Sequence, residues 1–369
     1  MLTRLLINRS YARLWAAGVI SWVGDYVFDV TVILWISTIL AADQPWAPAA
    51  VGGVLAAVVV PTVLISPIAG VYVDRWDNRR TMLGSDLLRM GLIGALALLP
   101  LLPEGTVPVG ATLAVVYATV FVSTAISRFF TPARFAVVAD VVEPDQRAKA
   151  SGIGQASMAI AGIVGPPLAA PLLFGVGVGW ALLINAASFF VSFLFLYGVR
   201  TPGPEAGRQV PQRPGLWSEL RAGLAVVGGS RILVALLVSA MVANFGAYLL
   251  NTLNVFFVTD NLGASAQMYG FLGTAFGVGA VAGAALSGVA AQRVGLARTY
   301  WVGLIATGVV MAVYARSTTF AAGLLLLLVL AVPLAAMNTV VAPIVMRSVP
   351  GTCSDGSSAW SSPRYSSCR

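Results

Sequence analysis

The fold class predicted for this chain is an all-α membrane protein, and three observations predict it. Hydrophobic residues make up 58% of the 369 and charged residues only 10%. The apolar residues gather in runs of about 20, the length a helix needs to cross a bilayer. The polar stretches between the runs hold most of the basic residues. A mean hydropathy of +0.88 leaves too little polar surface to coat a soluble globule. The net charge of +8 would suit a nucleic-acid binder, but its arginines fall mostly in loops, so the expected partner is the lipid bilayer and not nucleic acid. Histidine is absent and both cysteines, Cys353 and Cys368, lie close to the end. No metal site, cofactor or disulfide framework is therefore expected. The spans hold no nucleophile–base pair and the chain has no Gly-x-x-x-x-Gly-Lys-Ser/Thr loop, which argues against an enzyme and against a primary pump.

Taken in order, the expected spans are 14–40, 49–71, 82–102, 109–130, 152–174, 179–199, 232–258, 268–291, 299–315 and 319–346. The first run is too long for the apolar region of a signal peptide, so it is read as a retained span. Basic residues in short loops mark the cytoplasmic side. Here they alternate: Arg4, Arg9 and Arg13 before the first span, Arg79 and Arg80 after the second, Arg134, Arg147 and Lys149 after the fourth, Arg293 and Arg298 after the eighth. The opposite loops hold Asp43, Glu104 and Asp260, with Arg316 as their one base. Both ends are expected inside. The Pro-rich connection 200–229 reads as a cytoplasmic linker dividing six spans, 1–199, from four, 230–346. Within it, 216–224 reads equally as a surface amphipathic helix or a solvated stretch.

A shift of 218 residues sets Gly70, Val71, Arg75, Arg80 and Thr81 on Gly288, Val289, Arg293, Arg298 and Thr299, and Arg13 on Arg231. The two parts thus read as parallel repeats. Between the second and third spans stands a charged island, Gly70-Val71-Tyr72-Val73-Asp74-Arg75 followed by Arg79-Arg80. Its order resembles the inner loop of the major facilitator superfamily, departing from it where Asp77 replaces an expected glycine. The resemblance implies the major facilitator fold, with a six-helix N-terminal bundle and here an incomplete four-helix C-terminal one. It also implies an inner gate at Gly70, Asp74, Arg75, Arg79 and Arg80, with Arg89, Arg128 and Arg134 as candidate partners. In that family the gate aspartate also meets the eleventh helix, which is not found here.

By the repeat, the chain should continue past Pro350 into two more spans; the polar 347–369 does not. A shifted reading frame accounts for this, since permissible codons for Gly351 to Ser358 can spell His-Val-Leu-Gly-Arg-Val-Phe. A genuine short tail or a truncation is the alternative.

A charge inside a span costs about 2.5–3.5 kcal/mol on insertion scales, so each needs a reason. Asp25 and Asp29 stand four apart on one face of the first helix, Asp25 about halfway through the bilayer core, and are candidates to carry a proton; the alternative is a structural pairing with an arginine. Asp86 and Arg89, three apart, are expected to satisfy each other. Ser21-Trp22-Val23-Gly24-Asp25 resembles the branch containing enterobactin exporters and macrolide efflux pumps. Gly162, Gly165 and Pro166 in the fifth helix resemble the Gly-Pro motif of drug antiporters, a hinge against the second half or simple packing. Trp22, Tyr26, Asn185, Asn244, Asn251 and Asn338 are candidates to line a substrate cavity, and some of the asparagines are equally read as interhelical hydrogen-bonders. The expectation is a proton-coupled exporter of a small, hydrophobic molecule, drug-like or siderophore-like. The competing reading is an inserted product that does not transport.

Overall fold

The computed structural model describes residues 7–73, 76–103, 105–201 and 228–348. Among them stand ten helices long and apolar enough to cross a membrane. They are α1 Arg9–Trp35, α2 Ala47–Val73, α3 Asn78–Leu96, α4 Val109–Val141, α5 Arg147–Val176, α6 Val178–Tyr197, α7 Arg231–Phe256, α8 Tyr269–Val294, α9 Leu296–Tyr314 and α10 Phe320–Ser348. Asp74, Arg75, Glu104, the linker segment 216–224 and the tail beyond 348 lie outside the described residues.

The expected spans are all present, with ends moved for identifiable reasons. α4 does not stop near 130 but runs on to Val141 with Pro132 inside it, because apolar content marks the lipid crossing and not the end of the helix. α3 ends early, at Leu96, and gives way to a 3₁₀ turn, Leu99–Leu101, around Pro100. α1 begins on a side-chain cap. Asn8 Oδ1 accepts the Tyr11 amide at 2.7 Å, and the Tyr11 hydroxyl donates to the Ala150 carbonyl at 2.7 Å, tying the start of α1 to α5. A single residue, Gly177 at φ +92°, joins α5 to α6. Only glycine adopts that conformation without strain.

In the first half α1 packs on α5 and α6, α2 on α4, and α3 on α4 and α6. In the second, α10 packs on α8 and α9. The two halves meet where α5 crosses α8 and α2 approaches α7. One large apolar core joins the halves at the end of the bundle that holds Ile36, Ala41, Val258, Leu262 and Tyr314. At the opposite end the halves keep separate clusters, one around Leu14, Met82 and Leu196 and another around Leu236, Tyr300 and Met337. The repeat is also uneven. Of the most apolar stretch of α1, 61% is buried, against 6% for α7. α1 is enclosed by α5 and α6, and no counterpart of those helices stands beside α7 among the described residues.

Candidate functional site

Halfway along α1, the Asp25 carboxylate forms an ion pair with the Arg89 guanidinium of α3. The arginine is 7% exposed and the aspartate 32% exposed, so the base of the pair is buried and its acid is partly accessible. Two other contacts fix Arg89. Its Nε donates to Ser123 Oγ of α4 at 3.2 Å, and its guanidinium lies 4.0 Å over the Phe189 ring of α6. The arginine thus ties α1, α3, α4 and α6 together at one depth.

The expected pairing of Asp86 with Arg89 is not what forms. Spacing along a helix makes the pair geometrically available, but the packing of α1 on the bundle offers Arg89 a carboxylate from another helix. Asp86, wholly buried, instead accepts from Ser192 Oγ of α6 at 2.6 Å, and its other oxygen has no hydrogen-bond partner. Asp29 is exposed, one turn beyond Asp25. From the second half, Tyr248 of α7 is within electrostatic range of Tyr26 and Arg128, and the buried Tyr269 of α8 within range of Asp29. Arg128 also senses Asp25 and Arg89, and donates to Ser127 Oγ at 3.2 Å. The acidic face of α1 is therefore turned toward the second half.

Arg134 lies with its guanidinium 4.3 Å over the Trp22 ring and against Gly18 and Gly154, wedged between α1 and α5. Trp22 is thereby covered on one face by a cation. Tyr26 packs on α5. A Cβ on Gly162 would meet its ring at 3.2 Å, and one on Gly165 would meet its Cβ at 2.5 Å. Asn185 does not line an open cavity: it is wholly buried where α6 meets Gly24 of α1, and its Nδ2 has no hydrogen-bond partner. Asn338 is exposed. The side chains of Asn244 and Asn251 lie outside the described set.

The Gly-Pro segment of α5 faces two ways. Gly162 and Gly165 receive α1, while Pro166 and Pro167 press on Gly270 and Gly273 of α8. The Thr274 hydroxyl donates to the Ile163 carbonyl at 2.9 Å, crossing the same interface.

At the end of the bundle with separate cores, Arg79 donates to the Tyr197 carbonyl at 2.6 Å, closing α3 on α6. Asp77 caps α3, its Oδ1 accepting the Arg80 amide at 3.0 Å. This gives a local reason for an aspartate in a loop position where the resembling motif has glycine. The Arg80–Asp77 ion pair, at 3.5 Å, is largely in solvent and contributes little. Gly70 belongs to α2.

Five members of this site were not foreseen: Ser123, Phe189, Ser192, Tyr248 and Tyr269. The two serines had a signal, hydroxyls deep in apolar spans. The aromatic residues had none.

A family model described as Major Facilitator Superfamily matches residues 14–253. The uncharacterized MFS-type transporter YkuC of Bacillus subtilis (strain 168) is 23% identical over 247 residues, covering 64% of this chain and 54% of that protein. Macrolide efflux protein A of Streptococcus pyogenes is 25% identical over 228 residues, covering 62% and 53%. The chain spans about half the length of these curated relatives. Among solved structures, a bacterial homolog of the human lysosomal transporter Spinster, in an inward-facing and unoccupied conformation, matches with TM-score 0.64 and 17% identity, over 90% of this chain and 74% of that one.

Proposed function

We propose that this chain, which belongs to the major facilitator superfamily, carries the ion-coupling half of a secondary transporter that exports a small hydrophobic molecule in exchange for protons. The observation that supports this reading is the Asp25–Arg89 pair. It holds the first helix to the third, it is buried on its basic side, and its acidic side is partly accessible. A proton on Asp25 removes the charge that holds Arg89, so protonation and helix contact are linked. Export is favoured over import by the macrolide efflux protein among the relatives.

On the basic-loop reading, the end with separate cores is cytoplasmic and both termini lie there. The fused core then closes the outer side, and the cleft opens inward. In this arrangement 1–199 is the first bundle, 230–346 the second and 200–229 the linker between them. Asp74 and Arg75 complete the inner gate with Arg79 and Arg80. Trp22, Tyr26 and Asn338, with Asn244 and Asn251, border the route of the substrate.

The test is efflux of a panel of dyes and hydrophobic drugs from proteoliposomes under an imposed pH gradient. The wild-type chain should extrude at least one of them, and Asp25→Asn should abolish the gradient dependence while inserting normally. Gradient-driven efflux by the variant equal to wild type would return Asp25 to a purely structural role. The exposure of α7 favours a second reading, in which the ten helices insert without transporting. A folded wild-type chain that moves none of the panel in either gradient direction would support it.

A further inference from the structure

Asp86 is a titratable group that the proposed coupling does not use, and its surroundings are unusual. It is wholly buried; one oxygen takes the Ser192 hydroxyl at 2.6 Å and the other has no hydrogen-bond partner. A carboxylate served by one neutral donor in a dry interior is strongly disfavoured unless a cation stands with it. The cation at hand is Arg89, one turn along the same helix face, and its guanidinium is committed to Asp25. The other groups around this point are Ser123 and Arg128 on α4, Ser192 on α6, and Asp29 one turn beyond Asp25 on α1. Arg128 senses Asp25 as well as Arg89. Asp29 lies on the exposed side and can be solvated there.

We propose that Asp25 and Asp86 share one proton across Arg89, so that the arginine always faces one carboxylate and one carboxylic acid. In the observed state the O–H bond is on Asp86 and the ion pair is with Asp25. When an O–H bond forms on Asp25, the one on Asp86 breaks, and Arg89 turns from α1 to the acid on its own helix. The charge of the three groups is zero in both states. What changes is which helix Arg89 holds: α1 in the first state, the α3–α6 contact through Asp86 and Ser192 in the second. This rests on the coupling role given to Asp25, and it adds Asp86 as the second position of the proton.

Infrared spectroscopy of the purified chain in lipid nanodiscs at neutral pH tests this without any transport assay. The wild type should show a carbonyl stretch of a protonated carboxylic acid that disappears in D86N. D86E should move that band and not remove it, which keeps the assignment safe if D86N fails to insert. The same band should disappear in D25N, because Arg89, left without a partner, draws the ionised form of Asp86. It should return in D25N/R89Q, where the cation is gone. A band that persists in D25N, or a wild type without any band dependent on residue 86, overturns the proposal. Absence of pH-driven efflux with this infrared pattern intact would instead overturn the transport reading alone.

Discussion

Replacing Gly270 by alanine should loosen the seam between the halves, and the size of the effect follows from the geometry. A Cβ at this position would stand 2.5 Å from the Pro166 carbonyl oxygen and 2.8 Å from Pro167 Cα. Both are backbone atoms of a helix, so no side-chain rotation relieves the clash. An acceptable carbon–oxygen approach is about 3.3 Å, so α5 and α8 must part locally by roughly 0.8 Å. Overpacking of this kind costs about 1–3 kcal/mol. The Thr274–Ile163 hydrogen bond, 2.9 Å long and one turn away, would be stretched as well, adding up to about 0.6 kcal/mol. The control is Gly308→Ala on α9, where a Cβ would meet nothing within 4 Å. There the exchange should be neutral or stabilising by about 0.5–1 kcal/mol, the ordinary preference of a helix interior for alanine. Unfolding in mixed micelles, followed by circular dichroism as denaturing detergent is added, measures both. If Gly270→Ala proves as stable as wild type, the close approach of α5 to α8 is wrong.

Asp77→Ala should destabilise the start of α3 by about 1 kcal/mol, read as faster amide exchange over the first turn, and exchange unchanged from wild type would remove the capping role. Tyr314→Phe leaves Asn254 without the buried hydroxyl that donates to its Oδ1. A loss of about 1–3 kcal/mol is expected in the same micelle assay, and a value near zero would show that the bond contributes nothing. Single cysteines in a form with Cys353 and Cys368 replaced by serine report topology. A cysteine at Asp43 should react with an impermeant reagent from outside and one at Lys149 only from inside; the reverse pattern would invert the orientation.

The ten spans were legible because lipid imposes one requirement, an apolar run of sufficient length, and the sequence meets it ten times. The close packing of α5 was legible in kind: Gly165 and Pro166 announce it, and both are found at helix contacts. What α5 touches was less so, since the glycines of α8 are spaced for packing but do not say against what. Arg89 shows the limit most clearly. Local spacing offers it Asp86, three residues away, whereas the fold brings it Asp25, sixty-four positions away in the chain. Helix periodicity ranks neighbours on one helix and is silent about which other helix arrives. Asn185 was misplaced for the same reason: a polar residue at depth reads alike whether it lines a cavity or meets Gly24 across a helix contact.

The two-faced contact of α5 has a mechanical consequence. Gly165 lies against the Val23 carbonyl and Tyr26 on α1, and the next residue, Pro166, bears on α8. Val23 and Tyr26 flank Asp25 in the chain. A rotation of the second half that displaces Pro166 must therefore shift the seat of the helix turn carrying the acid, through two consecutive residues and no intermediary. The lever is one peptide long, and Gly177 ties the far end of the same helix to α6, whose Ser192 and Phe189 complete the surroundings of Asp86 and Arg89. The position of one half and the surroundings of the acid in the other thus meet on the same short stretch of α5.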